Sequence, residues 1–390
     1  MDASAFRSGD PGGLPVIVAA RRTPIGTAGH ALRRVPADAL AAPLLRALLE
    51  DLGAVPEDIA DVVLGHVMGP GGNLARVAAL AAGLGMGVTG LTVDRQCASG
   101  LEAVNLAATL VRAGCGVLYL AGGTESPSTA PWRFARPSGP TGLPRPYDRA
   151  PFAPPSVGDP DMGVAAETVA REAGVSRERQ DAYAVESHAR AVAAQKAGRF
   201  DDELVAVGGL ASDERPREGL TPAHLARFPA AFVPGGTVTA GNSCGINDGA
   251  AIVAVASESW RAAHSRPGLR ILGWEVAGVD PNRCGLGVVP AVQRLLERAG
   301  LAPADVGVVE ITEAFAGQVL ACLDALGLER DRVCPDGGAI ALGHPWAASG
   351  AVLAVRLFTR MVRQDGPRIG LATCAVGGGM GVATLFERVH

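Results

Sequence analysis

Cys97 and His344 are the residues with the greatest chemical reach. Cys97 lies in the run Leu91-Thr92-Val93-Asp94-Arg95-Gln96-Cys97-Ala98-Ser99-Gly100-Leu101, where a strand-like segment gives way to a helix. A helix N-terminus favours thiolate through its free N–H groups and macrodipole. The small neighbours leave room for an acyl group. The competing reading is a buried cysteine acting as a small hydrophobe. His344 sits in Gly337-Gly338-Ala339-Ile340-Ala341-Leu342-Gly343-His344-Pro345, where glycines allow close backbone approach. It is read at the place in the second half of the chain that Cys97 holds in the first. Two such halves would bring a nucleophile to its base; a turn-stabilising histidine is the alternative. Gly377-Gly378-Gly379-Met380-Gly381 offers backbone N–H groups for an oxyanion hole, or a tight strand crossing. The small, polar stretch 239–250 by itself indicates only a turn.

These residues need elements to hold them. Val16–Ala20, Asp61–Leu64, Leu91–Asp94 and Val117–Ala121 read as strands; Asp38–Leu52, Leu74–Gly83 and Cys97–Ala113 read as helices. The second half gives a strand at Val306–Ile311 and a helix at Ala314–Leu326. A Gly-rich turn follows at Asp336–Pro345, then a helix at Ala348–Arg363 and a strand at Ile369–Thr373. Such alternation implies layered α/β structure. Ala98-Ser99-Gly100 recurs as Ala348-Ser349-Gly350, each followed by a strand ending in Gly-Gly, so the chain is read as an internal duplication. Between the halves lies a region opening with the Pro/Arg-rich, structureless stretch Pro127–Pro160, then helices at Met162–Ala173 and Arg177–Ala197. The expected division is a flexible tail (1–15), a first half (16–125 and 250–256), an insertion (126–249) and a second half (257–390).

Composition narrows the functional classes. The 390 residues are 48% hydrophobic and 19% charged, with net charge −4, which argues against nucleic acid as a partner. No stretch approaches the ~20 apolar residues of a membrane span. Lys196 is the only lysine, so phosphate contacts fall to Arg, His or backbone N–H. Seven cysteines without a CxxC suggest neither a zinc site nor a disulfide framework, and no metal is expected. The first fifteen residues lack the pattern of a signal peptide, so the cytoplasm is the expected location.

Taken together, these segments resemble the thiolase family over nearly the whole chain. Val16–Gly26 is similar to the family's first strand and turn, and Cys97-Ala98-Ser99-Gly100-Leu101 to its acyl-accepting cysteine motif. The Gly241–Ala250 loop, Glu313-Ala314-Phe315, Gly343-His344-Pro345 and the final Gly-rich segment also match in order. The resemblance implies two βαβαβαββ halves in a five-layered α-β-α-β-α core, with the insertion as a loop domain gripping coenzyme A. It implies Cys97 as nucleophile, His344 as its activator, and a hole for the acyl carbonyl formed by the N–H groups of Cys97 and Gly377. It places Arg217 near the nucleotide of coenzyme A, and Met162, Ala240, Ala314 and Phe315 along the pantetheine channel. It implies no permanently bound cofactor, an acyl-CoA or acyl-carrier-protein substrate, and a homodimer or homotetramer.

The departures bear on the second substrate. Ala375 stands where the family has its second catalytic cysteine, and Cys374 lies one residue early. One residue of shift along a strand turns a side chain to the other face unless the strand is bulged. Thr312 stands where the family's Asn positions a water. Cys244 replaces a common serine, Cys284 a methionine lining the acyl site, and Asp161 a histidine of biosynthetic members; Tyr147–Pro160 lacks the usual substrate-loop pattern. The expected function is acyl transfer from acyl-CoA through Cys97 to an acceptor. The alternatives are a decarboxylating ketosynthase-like condensing enzyme and a catalytically impaired partner subunit.

Overall fold

The computed structural model describes residues 13–390, so most of the expected tail, residues 1–12, lies outside the described residues. The strands are β1 Val16–Arg22, β2 Gly26–Thr27, β3 Asp61–Gly65, β4 Gly90–Val93, β5 Leu118–Glu125, β6 Arg133–Ala135, β7 Arg145–Tyr147, β8 Asn247–Ala256, β9 Gly268–Gly278, β10 Val308–Ile311, β11 Ile369–Val376 and β12 Met380–Val389. The main sheet runs β10-β11-β12-β9-β1-β8-β5-β3-β4, with β2 paired to β8. It is mixed: β3 pairs in parallel with β4 and β5, and β10 with β11, while the other pairs along the order are antiparallel. β1 and β9 meet over only two residue pairs, Val16↔Arg270 and Ile17↔Leu269, and there the two halves join. β5 and β8 are buried along their whole length, so their apolar stretches, Leu118–Ala121 and Ala250–Ala256, are continuous rather than alternating; β8 had no counterpart among the strands read from sequence.

Five layers result. One apolar cluster lies at the centre, where the helices Ser99–Arg112 and Ser349–Phe358 are enclosed by residues of both half-sheets, among them Ala121, Val253, Ala372 and Phe386. A second cluster lies outside the first half, beneath the helices Ala37–Leu52 and Leu74–Ala81. The third lies outside the second half, beneath Val288–Ala299 and Ala316–Leu326.

Several expected boundaries move. β5 does not stop at Gly122-Gly123 but continues to Glu125. The glycines serve close approach rather than a turn, since a Cβ at Gly123 would stand 2.2 Å from the Ala347 carbonyl oxygen. The stretch Pro127–Pro160 is not structureless, because β6 and β7 form a hairpin within it. The helix expected from Ala348 to Arg363 ends at Phe358 and passes into a π-helical turn, Thr359–Arg363. β9, β12 and the helix Val288–Ala299 had no counterpart in the sequence reading.

Candidate active site

Cys97 occupies a tight turn. Gln96–Ala98 form a 3-10 helix, and the helix Ser99–Arg112 follows at once. Gln96 is left-handed (φ 47°), a cost for a residue with a Cβ. Asp94 Oδ1 accepts from Gln96 N–H at 2.7 Å, and Ser99 Oγ accepts from Arg95 N–H at 2.8 Å while donating to Gln96 O at 2.6 Å. These bonds hold the turn. The Gly377 N–H donates to the Cys97 sulfur, which brings the glycine run of the second half onto the cysteine of the first.

The electrostatics reverse one expectation. Burial, then the neighbouring thiols Cys374, Cys244 and Cys284, push the Cys97 thiol well above its ordinary value, against the Gly377 hydrogen bond. Desolvation outweighs the helix N-terminus here. The resting thiol is protonated and needs a base.

His344 is buried, and burial pushes its imidazole down to about 4, so it is neutral at physiological pH. Its Nδ1 lies 2.6 Å from Ser349 Oγ, and its backbone N–H donates to Asn247 Oδ1 at 2.9 Å. His344 is not the counterpart of Cys97 in the duplication, contrary to the sequence reading. Trp346, like Gln96, has a positive φ (25°) and opens a 3-10 turn, Trp346–Ala348, ahead of a helix that begins at Ser349 as the other begins at Ser99. Ala347 is therefore the counterpart of Cys97, and His344 stands three residues earlier, opposite Asp94. The repeated Ala-Ser-Gly already carried this register, since aligning it sets Ala347 against Cys97; the sequence reading misplaced the histidine.

The remaining positions fall into two groups. Thr312 is buried at the end of β10, its N–H donating to Thr373 O at 3.1 Å, with the Cys374 thiol beside its hydroxyl. Cys284 touches Met162, sulfur to sulfur, at 3.9 Å. Cys244 N–H donates to Ala314 O at 2.9 Å, and Phe315 meets Phe232 edge-on with centroids 6.0 Å apart. Ala240 is exposed beside this loop. Arg217 stands apart: it is exposed and lines a groove of about 290 Å3 against the helix Arg177–Lys196, near Val185, Ala189 and Leu220.

Along β11 the pairing with β12 is unbroken from Ile369↔Glu387 to Val376↔Met380, with no bulge. Cys374 and Ala375 therefore face opposite ways. Cys374 is fully buried in the central cluster and Ala375 is half-buried against the outer one.

The sequence reading missed four contributors. Ser349 and Asn247 hold His344 as described above. Glu313, buried, accepts from Tyr183 Oη (2.8 Å), Ser187 Oγ (2.7 Å) and Ile340 N–H (3.2 Å), pinning the Thr312–Phe315 segment to the His344 loop. Phe152 lies over the glycine run; a Cβ at Gly377 would stand 2.9 Å from its ring. Ser349 stood in the repeat and Asn247 and Glu313 in quoted motifs, without a role being read for them; Phe152 gave no signal in the sequence.

Family comparisons agree with this architecture. Residues 15–259 match the family model "Thiolase, N-terminal domain", and residues 265–388 match "Thiolase, C-terminal domain". The chain belongs to the thiolase family. It is 42% identical over 378 residues to "Putative acetyl-CoA C-acetyltransferase YhfS" of Bacillus subtilis, covering 95% of this chain and 98% of that one. It is likewise 42% identical to "Putative acetyl-CoA C-acetyltransferase VraB" of Staphylococcus haemolyticus, over 96% and 98%. The crystal structure of the Bacillus anthracis acetyl-CoA acetyltransferase superposes with a TM-score of 0.90 at 36% identity, covering 96% of this chain and 99% of that one. This thiolase is an acyltransferase with the thiolase fold. Among its described residues no helix is long and apolar enough to cross a membrane.

Proposed function

We propose that this thiolase takes a short acyl group from acyl-CoA onto Cys97 and passes it to a carbon acceptor. The observation that carries the reading is the approach of the Gly377 N–H to the Cys97 sulfur, together with a neutral, buried His344 three residues ahead of Ala347, whose carbonyl packs against Gly100 in the helix that Cys97 leads into. His344 Nε2 takes the thiol proton and Cys97 sulfur attacks the thioester carbonyl. The N–H groups of Cys97 and Gly377 hold the oxyanion. Coenzyme A leaves as thiolate and takes the proton back from His344, so the products are the Cys97 thioester and free coenzyme A.

Cys284 and Met162 form the acyl wall, Cys244, Ala314 and Phe315 the pantetheine side with Ala240 at its mouth, and Arg217 the nucleotide end. Thr312 assists at the second substrate's oxygen. Ala375 leaves that substrate without a thiol on the face of β11 opposite Cys374, so the transfer half-reaction is the slow one.

Intact-protein mass after mixing with a panel of acyl-CoAs tests the acylation step. A Cys97-dependent adduct, largest for acetyl and absent in Cys97→Ala, is the expected result. An adduct that persists in Cys97→Ala, or none from any donor that binds, would refute the reading.

A further inference from the structure

Beside Ser349, the hydrogen-bond partner of His344, lies a small cavity whose Glu310, Ser349 and Arg356 the acyl-transfer scheme does not use. It offers about 20 Å3 to the centre of a water-sized sphere, and Glu310, Thr312, Ser349 and Arg356 line it together with Gly337, Gly338, Leu342 and Val352. That is room for about one water molecule, and a buried water is retained where two to four polar partners surround it.

The lining meets this requirement. Arg356 spends its two terminal nitrogens on Glu203 (2.5 Å) and Asp336 (2.6 Å), while its buried Nε–H has no partner among the described residues. The buried Thr312 Oγ1 likewise makes no hydrogen bond of good geometry. Ser349 Oγ is committed to His344 Nδ1 on one side only. Glu310 is buried beside the Cys334 thiol and the Arg356 guanidinium, and burial pushes its carboxyl up to about 8. At neutral pH it is mostly protonated and keeps an accepting carbonyl oxygen. Unpaired buried polar groups cost about 1–3 kcal/mol each, and a native structure normally satisfies them.

We propose that one water is a fixed part of this thiolase, seated between Ser349, Arg356, Thr312 and Glu310, and that it sets the tautomer of His344 through Ser349. The water accepts from Arg356 Nε–H and from the Ser349 hydroxyl. It donates to Thr312 Oγ1 and to the Glu310 carbonyl oxygen. With its own proton directed at the water, Ser349 Oγ can only accept from His344, so the imidazole carries its proton on Nδ1. Nε2 is then a bare lone pair, the form a base needs. Ser349 and Glu310 are positioning residues in this arrangement; neither touches substrate. The role assigned to them rests on reading His344 as the base.

The test separates the two ideas, because its main readouts do not involve acyl transfer. A high-resolution crystal structure shows one solvent peak with the four named partners. Long-range 15N–1H spectra of histidine-labelled protein find the His344 proton on Nδ1. A cavity without ordered solvent, or a resting His344 protonated on Nε2, overturns the inference even if Cys97 is acylated normally. Ser349→Ala is expected to lower the rate of Cys97 acylation by roughly 10- to 100-fold, less than removal of a base itself, with acyl-CoA affinity within twofold. Glu310→Leu keeps the side-chain volume, removes the acceptor, and should shift His344 toward mixed tautomers; it serves if Ser349→Ala does not fold. Tautomer and acylation rate unchanged in a folded variant would overturn the positioning role.

Discussion

Cys97 is set by desolvation rather than by the helix it introduces. Its thiol is raised by burial and by three other thiols, so its reactivity depends on a base. Replacing His344 with alanine should slow acylation by roughly 10²- to 10⁴-fold, read as the rate of adduct formation from acetyl-CoA. A loss under threefold would mean that another group removes the proton. In the proposed scheme the second substrate depends on position 375. Cys374 is sealed in the central cluster with its Sγ 3.2 Å from Ala375 O, while Ala375 holds the outward position on the same strand. Ala375→Cys should therefore raise acetoacetyl-CoA thiolysis at least about tenfold, a modest share of what a general acid/base supplies. No gain would show that this position does not limit turnover. The identities of Cys97, His344 and Gly377 were legible because each stands in a motif. The Ser349 hydroxyl bound to His344 was not, because a serine beginning a helix looks the same whether it caps backbone or holds a histidine.

At the scale of elements, the strands and helices with strong apolar patterns were read nearly to the residue. Ala37–Leu52, with its left-handed Gly53 after the last turn, is one example. Elements whose meaning depends on a distant neighbour were not. The Gly-Gly of β5 reads locally as a stop, yet it is the surface on which Ala347 of the other half rests. The loop from Tyr147 to Pro160 gave no pattern at all, and its order comes from one clasp. Arg149 pairs with both oxygens of Asp159 at 2.9 and 3.0 Å, Asp159 accepts from Phe152 N–H at 3.2 Å, and the guanidinium lies 4.7 Å from the Phe152 ring centroid. The clasp presses the ring onto Gly377, next to the thiol. On the proposed reading, a ring seated over Gly377 bounds the space for an acyl group on Cys97. Phe152→Ala should raise the relative adduct rate of six- to eight-carbon acyl-CoAs over acetyl-CoA by about tenfold, the selectivity one or two methylenes command in an apolar pocket. An unchanged ranking of donors would place the limit elsewhere.

For the whole molecule, charge ties the parts together and proton uptake sets the range in which they hold. Arg22 of β1 pairs with Glu203 (2.6 Å) and Asp213 (2.8 Å), and Arg356 of the second half pairs with the same Glu203 and with Asp336, all buried. First half, insertion and second half thus share one network. Arg22→Met leaves the buried Asp213 without its cation, while Glu203 keeps Arg356, and should cost about 3–5 kcal/mol, visible in the midpoint of denaturant unfolding. The pH dependence follows from groups held away from their ordinary values. Burial pushes His344 to about 4, and burial with Arg215 and Arg217 pushes His188 to about 4, both from 6.5. The unfolded chain binds protons that the folded one refuses, so their stability is full above pH 6.5 and is lost as pH falls toward 4. Glu310 runs the other way: burial raises it from 4.5 to about 8, the folded chain holds a proton the unfolded one releases, and stability is lost as pH rises across that window. Below pH 6.5 two histidines outweigh one carboxyl, and stability climbs with pH. Between 6.5 and 8 Glu310 removes about 1.4 kcal/mol per pH unit, roughly 2 kcal/mol in all, and His66, raised above 6.5 against its burial by the bond to Glu125, adds to the same alkaline loss. The melting temperature should therefore peak near pH 6.5 and decline on the alkaline side. Glu310→Gln, which cannot ionise, should flatten that decline and leave the acid limb in place. An alkaline decline of equal size in both proteins would mean that another buried group carries it.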